Sequence, residues 1–363
     1  MKNEKSIDWR WCLRKEDLTM SKAEFLYLSQ EDVIAAGGLD MTLCMEAVEE
    51  ALACHAKGDC VLPSKTVLRW GEVETETTKG RMNAMPGYLG GRVDKAGIKW
   101  IGSSPLNPQT HGLPRASGLL ILNDPVTKLP LAVMDSTIIS AMRTGAAGGM
   151  GMKYLSRGDS RTMGIIGAGV QARTQAMAAK TVLPGLERIL IYDILIERSK
   201  SWCQEMSRKL NIPCSPVISA EEAVRESDFF VTVTTAHSPI VKADWIRPGH
   251  TFIHMAGYED EFAVVTKAQK IVVDSWKEVF HRGLQTVYLA YREGLITDKD
   301  IYAEIGEIIT GQKKGRENPQ EFIYYNAVGL GIEDIAFGHT VLEEAKRKGI
   351  GVSLPLWTNP IWV

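Results

Sequence analysis

The sequence predicts an α/β protein whose second half is a doubly wound parallel sheet and whose first half carries a separate antiparallel or mixed sheet. Three observations carry this. From Thr162 onward strand and helix patterns alternate at the spacing of parallel β-α-β units. Between Val61 and Val133 the chain reads instead as short strands broken by Gly and Pro. At the junction an apolar segment runs directly into Gly167-Ala168-Gly169 and an Ala-rich helix. A chain of 363 residues suits about two domains of roughly 150 residues each.

Residues 1–24 are mostly polar and charged, with Trp9 and Trp11 the largest apolar side chains, and read as an N-terminal extension. Phe25–Leu28 reads as a strand, Ser29 as a helix N-cap and 32–36 as a short helix. Residues 41–56 carry apolar side chains at three- and four-residue spacing, which predicts an amphipathic helix. Strands are expected at Thr66–Trp70, Gly80–Met85, Gly97–Ile101, Gly118–Asn123 and Pro130–Asp135. Thr137–Tyr154 is a helix rich in Gly and Ala, suited to close approach by another backbone or a ligand. Beyond it come strand Thr162–Ile166, helix Val170–Val182, strand Arg188–Tyr192, helix Ile196–Leu210 and short helix Ser219–Arg225. Strands Phe229–Thr234, Thr251–Met255 and Val272–Val273 follow, then a helix over Asp298–Ile309 and a last helix centred on Gly329–Arg347.

Composition narrows the function. The 45% apolar and 24% charged content is that of a globular protein. With 42 Lys and Arg against 44 Asp and Glu, the formal charge is −2, and the basic excess of a nucleic-acid binder is missing. No apolar run reaches the ~18 residues of a membrane span, and the first 20 residues lack the apolar block of a signal peptide. The six cysteines (Cys12, Cys44, Cys54, Cys60, Cys203, Cys214) form no C-x-x-C pair and no zinc-ligand pattern. They read as structural thiols of a cytoplasmic enzyme, with no metal and with no neighbouring base to activate one.

Gly167-Ala168-Gly169-Val170-Gln171-Ala172 matches G-x-G-x-x-G/A in the strand-to-helix setting that a Rossmann-type dinucleotide site requires. The first Gly makes the turn, the second admits the pyrophosphate, and the small third residue permits close helix–strand packing. The helix N-terminus faces the phosphates. Asp193 ends the next strand, where an acid accepts hydrogen bonds from the adenosine ribose. A carboxylate there repels a 2′-phosphate, so NAD is favoured over NADP.

Upstream lie cations in small or apolar company: Arg143 on the Gly-rich helix, Lys99 inside a strand, and Lys65 after Leu62-Pro63-Ser64. A buried charge is costly unless it meets an opposite one. With no carboxylate alongside in the sequence, an anionic ligand is the expected counter-charge, and the alternative is an internal salt bridge.

The chain resembles the ornithine cyclodeaminase/mu-crystallin family of NAD(P)-dependent oxidoreductases from about Phe25 to Arg347. The stretches that carry the likeness are Arg81–Pro86, the Lys99 strand with Asn107-Pro108, Ala141–Thr144, the Gly167 loop, Ile253–Glu259 and Val328–Asp334. The resemblance implies that residues 25–150 and 325–363 form a substrate-binding and dimerisation domain. The Rossmann domain, residues 151–324, is inserted within it, and the protein is a homodimer acting on a small amino or imino acid.

The resemblance also implies that Arg143 and Lys99 hold the substrate carboxylate, with Lys65 standing where the family usually has Arg. Lys99 is counted among the catalytic residues as well. Thr144, Thr234 and Val328 join Gly167, Gly169, Val170, Gln171 and Asp193 around the cofactor. Glu259 matches the catalytic aspartate by position, although the family's Pro-Gly-Lys is absent after it. Glu259 or the adjacent Asp260 carries the proton, and three acids in a row also suit a solvated turn. Asn83 stands where ornithine-specific members have a glutamate that grips the distal ammonium, which counts against strict ornithine specificity unless Asp94, Glu72 or Glu74 takes its place. Cyclodeamination of ornithine to proline, an alanine-dehydrogenase or ketimine-reductase reaction, and a non-catalytic mu-crystallin-like NAD(P)-binding protein all remain open. So does a hydroxy-acid dehydrogenase that uses His281 or His254 as base.

Overall fold

The computed structural model describes residues 22–70, 80–104 and 106–362. Most of the expected N-terminal extension, with Trp9, Trp11 and Cys12, lies outside these residues, as do Glu72 and Glu74. Its last residues do not extend the tail, because the first strand begins at Ala23.

The first sheet orders its strands Val352–Trp357, Ala23–Leu28, Pro130–Asp135, Ala116–Asn123, Lys95–Ser103, Gly80–Leu89 and Cys60–Val61. Thr66–Trp70 also pairs with Gly80–Leu89. Pairing is antiparallel except between Ala23–Leu28 and Pro130–Asp135. Opposed residues share a face, so Met85, Lys99, Leu120, Met134 and Leu28 form one row across the sheet. The helix Gly331–Lys348 covers this face: Gly338 lies against Leu120, and Ile332 and Ile335 lie against Gly87. The opposite face leaves Tyr27, Leu68, Trp100, Leu119 and Leu354 exposed.

The second sheet is wholly parallel. Its order is Cys214–Pro216, Arg188–Tyr192, Thr162–Ile166, Phe229–Thr232, Thr251–His254, Ile323–Asn326, Lys270–Val273, Ile301–Glu304. From Thr162–Ile166 the chain winds outward to one edge, then returns to build the other half from Phe229. The crevice beyond Ile166 and Thr232 is therefore a topological switch point, where open α/β sheets bind ligands.

Three differences from expectation have tertiary causes. Asp298–Ile309 is not one helix but a 3₁₀ turn at Asp298–Asp300, the edge strand Ile301–Glu304 and the short helix Ile305–Ile309. The Thr297–Asp300 capping box starts the turn, and pairing with Lys270–Val273 pulls the next residues into the sheet. Ile323–Asn326 is an additional strand inserted between Thr251–His254 and Lys270–Val273, so the boundary expected at 324/325 falls inside the second sheet. The Gly331–Lys348 helix is followed by the strand Val352–Trp357, which returns the chain to the first sheet. Among the described residues no helix is long and apolar enough to cross a membrane.

The Gly-rich helix Thr137–Leu155 joins the two halves. A Cβ on Gly145 would stand 2.6 Å from Thr174 Cβ, and one on Gly148 would stand 2.1 Å from Gln175 Oε1. Both partners lie on the helix Val170–Val182 that follows the glycine turn. Glycine is needed here for helix–helix contact. Replacing Gly145 with Ala is expected to cost about 2 kcal/mol through overpacking, read as a lower urea midpoint. The same change at Gly158, where a Cβ would meet nothing within 4 Å, should leave the midpoint in place.

Candidate active site

At the switch point Gly167 adopts φ +102°, and a Cβ there would lie 3.0 Å from the Val233 carbonyl and 3.2 Å from Thr234 Cγ2. This turn therefore requires glycine. At Gly169 a Cβ would meet nothing within 4 Å, so the protein itself sets no limit there and the backbone borders open space. Ala172 is fully buried, as close packing behind the turn demands. Asp193 accepts the Ala168 N–H at 2.9 Å on one oxygen and the Leu195 N–H at 3.0 Å on the other. Each oxygen keeps a lone pair for a further donor. Ile194 and Ile218 are 84% and 86% exposed. Val170 opens the helix and is exposed, and Gln171 accepts the Thr174 hydroxyl. Thr144 anchors the two helices, its carbonyl accepting Gln175 Nε2 at 3.0 Å. An open glycine, a helix N-terminus and an acid beside bare apolar side chains fit a dinucleotide.

Across the crevice, Thr234 donates its N–H to Glu259 at 2.9 Å and its hydroxyl to the same oxygen. Glu259 and Asp260 are both fully buried, so this stretch is not a solvated turn. Burial pushes the Glu259 carboxyl up and the Asp260 carboxyl well above the usual range. Asp260 accepts the Thr286 hydroxyl at 2.7 Å and the Tyr324 hydroxyl at 3.3 Å.

Asn326 Nδ2 lies 3.1 Å from the His254 carbonyl and 2.7 Å from His254 Nδ1. A carbonyl only accepts, so the amide nitrogen is the donor, Nδ1 is bare, and the ring proton is assigned to Nε2. That nitrogen faces Asp260 Oδ1 at 3.4 Å and Glu259 Oε2 at 3.8 Å. Burial holds the imidazole down to about 3, so it is neutral, and these contacts are not ion pairs. His281 Nε2 lies 3.0 Å from the Lys65 carbonyl, an arrangement that makes it a donor rather than a base.

The cations correct one expectation. Lys99 does meet carboxylates: Nζ lies 2.7 Å from both oxygens of Asp334 and 3.2 Å from Ser140 Oγ. Arg143 pairs with Glu333 at 3.0 Å and Asp334 at 3.1 Å. Both acids sit in the first turn of the helix Gly331–Lys348, 190 or more residues from their partners. Lys65, only 8% exposed, forms no such pair among the described residues: its Nζ lies 3.5 Å from the Val328 carbonyl, and burial lowers it to about 7. Asp274 fixes that carbonyl by accepting the Val328 and Gly329 N–H groups at 2.7 Å each. Gly329, at φ +76°, must be glycine because a Cβ would stand 2.0 Å from Arg143 Nη1. Val328 thus serves the Lys65 site through its backbone.

Asn83 shares the face of Met85 and Lys99, and its Oδ1 lies 3.4 Å from Arg81 Nε. Glu278, also buried, accepts the Ser64 hydroxyl at 2.7 Å and lines the same narrow cavity as Lys65. The Arg282 charge depresses Lys65 and supports ionised Glu259, so the carboxylate and cation groups belong to one neighbourhood. Sequence reasoning missed Asp274, Glu278 and Arg282. Glu333 and Asp334 fall within Val328–Asp334, where nothing in the local sequence marks them as counter-charges.

A model of the ornithine cyclodeaminase/mu-crystallin family matches residues 26–349. N-((2S)-2-amino-2-carboxyethyl)-L-glutamate dehydrogenase of Staphylococcus aureus is 34% identical, over 92% of this chain and 99% of its own. The structure of Thermococcus litoralis Δ1-pyrroline-2-carboxylate reductase with NADH and L-proline superposes with TM-score 0.83 at 39% identity, covering 90% of this chain and 99% of that one. An archaeal alanine dehydrogenase dimer with bound NAD gives 0.82 at 37%, covering 92% and 100%.

Two outcomes follow from the charges. Burial raises Glu333 to about 7 and lowers Lys65 to about 7. As pH climbs past 7 Lys65 loses its charge, while Glu333 gains one and competes for Arg143. Inhibition by a small carboxylate such as propionate should therefore weaken at least about tenfold from pH 7 to 9; a constant inhibition constant would contradict this. Changing Asp334 to Asn strands Lys99 without a counter-charge and is expected to cost about 3–5 kcal/mol in urea unfolding.

Proposed function

The chain belongs to the ornithine cyclodeaminase/mu-crystallin family, and we propose from that membership that it is an NAD-dependent dehydrogenase or reductase acting at the α-carbon of a small amino or imino acid. The observation that carries this reading is Thr234. It lies against the Gly167 turn and holds Glu259 with two donors, so a buried acid stands beside the place where a dinucleotide would lie.

The roles follow from chemistry already described. Gly167, Gly169, the Val170 helix start and Asp193 hold the dinucleotide, and the Asp193 carboxylate disfavours a 2′-phosphate. The dinucleotide they would hold would supply the hydride acceptor for oxidation at the substrate α-carbon and, reduced, the hydride donor for the reverse. Lys65 meets the substrate carboxylate, with the free donors of Arg143 beside it. Glu259 takes the proton from the substrate nitrogen on oxidation and gives it back on reduction. Its raised proton affinity suits both directions, and its fixed Oε1 leaves Oε2 for the proton. Asp260 and the neutral His254 pack behind it.

Asn83 offers a substrate no carboxylate, and this favours net oxidation or reduction over cyclisation of a diamino acid. The exposed apolar face of the first sheet is the surface on which a second copy would pack, and the archaeal relative at 37% identity is a dimer.

The test incubates the protein with NAD⁺ and alanine, proline or ornithine, and with NADH and the corresponding keto or cyclic imino acids. Steady change in NADH absorbance with one pair is expected. Proline and ammonia from ornithine without NADH accumulation would replace this reading with cyclodeamination, and cofactor binding without turnover would make the protein a binder. Glu259→Gln is expected to lower kcat by about 10²–10⁴ while NADH affinity measured by fluorescence stays in place. Unchanged kcat would remove Glu259 from the reaction.

A further inference from the structure

The reading of the cysteines as thiols without a base suits the buried Cys44, Cys54 and Cys203 but not Cys60. Cys60 is half-buried in the two-residue strand at the rim of the first sheet. His55, in the last turn of the helix Met41–Ala56, places Nδ1 3.5 Å from Cys60 Sγ. The other ring nitrogen lies 3.4 Å from a carboxylate oxygen of Glu304. Glu304 ends the strand Ile301–Glu304 of the second sheet, and its other oxygen accepts the Trp276 N–H at 2.8 Å, so the carboxylate is held in place. Thiol, imidazole and carboxylate therefore follow one another at contact distance, the order in which a base set beside an acid activates a nucleophile.

We propose that Cys60 is an activated thiol that reacts with small electrophiles, hydroperoxides in particular, with His55 as its base and Glu304 beside the ring. His55 takes the Cys60 proton. The sulfur attacks one peroxide oxygen, an S–O bond forms and the O–O bond breaks. The departing hydroxide takes the proton from His55 and leaves as water. Sulfur is oxidised by two electrons to the sulfenic acid and the peroxide is reduced, so the step balances. The Cys60 and Glu304 contacts push the imidazole up to about 10, so a proton taken from Cys60 is held on the ring beside the sulfur. Cys214 supplies an internal comparison: it is also half-buried, but its Sγ donates to the Ile212 carbonyl and burial raises it. The site does not depend on the oxidoreductase reading. Because Glu304 comes from the second sheet, the reactivity of Cys60 also reports whether the two halves hold their arrangement.

The test alkylates the full chain with iodoacetamide at pH 7 and follows each cysteine by peptide mass spectrometry. Cys60 is expected to react about tenfold faster than Cys214, because His55 stands beside Cys60 whereas Cys214 donates to a backbone carbonyl. After brief hydrogen peroxide treatment, dimedone should label Cys60. His55→Gln and Glu304→Gln should each remove most of the advantage, and Glu304→Gln preserves an acceptor for the Trp276 N–H. Labelling of Cys60 no faster than Cys214 in the unaltered protein would overturn the proposal, as would an undiminished rate in His55→Gln.

Discussion

The arrangement of the site depends on the first turn of the C-terminal helix neutralising two buried cations. Glu333 and Asp334 meet Arg143 and Lys99 where almost no water reaches, and a buried charge without a partner would cost several kcal/mol. The pairs therefore fix the helix on the sheet face and set the Gly-rich helix beside it. They also leave Lys65 apart: among the described residues its ammonium meets the Val328 carbonyl and forms no ion pair, in a cavity that Glu278 also lines.

The two sheets are brought to this point by close contacts rather than by a hinge of loops. The Gly-rich helix carries Arg143 toward the first sheet and presses Gly145 and Gly148 against the helix behind the glycine turn. Asp274, at the end of a second-sheet strand, grips the backbone at Val328 and Gly329 just before the C-terminal helix begins. Glu259 and Lys65 are thus held by the same framework, with the Arg282 charge acting on both.

What was legible in the sequence was local. Gly167, Ala172 and Asp193 declare themselves because a turn, a helix start and a strand end follow one another within about thirty residues. Lys99 and Arg143 stood out because charge is rare in such apolar segments. Their partners were not legible as partners, since contact across some two hundred residues leaves no spacing to read. The same limit hid Ile323–Asn326: four residues declare a strand only when neighbours on both sides accept them. Over Asp298–Ile309 a helical pattern lost to edge pairing, because tertiary context outweighs propensity in a short segment. Cys60 and His55 lie five residues apart, yet the carboxylate that completes their line comes from the other sheet.

The most direct test of the account is the substrate KM of Lys65→Met, measured beside the NADH dissociation constant of the same variant. Removing the ammonium while keeping the apolar stem should raise KM about a hundredfold, a loss of roughly 3 kcal/mol for one charged hydrogen bond, with NADH binding unaltered. An unchanged KM would show that the substrate carboxylate docks elsewhere and that the unpaired cation has no part in recognition.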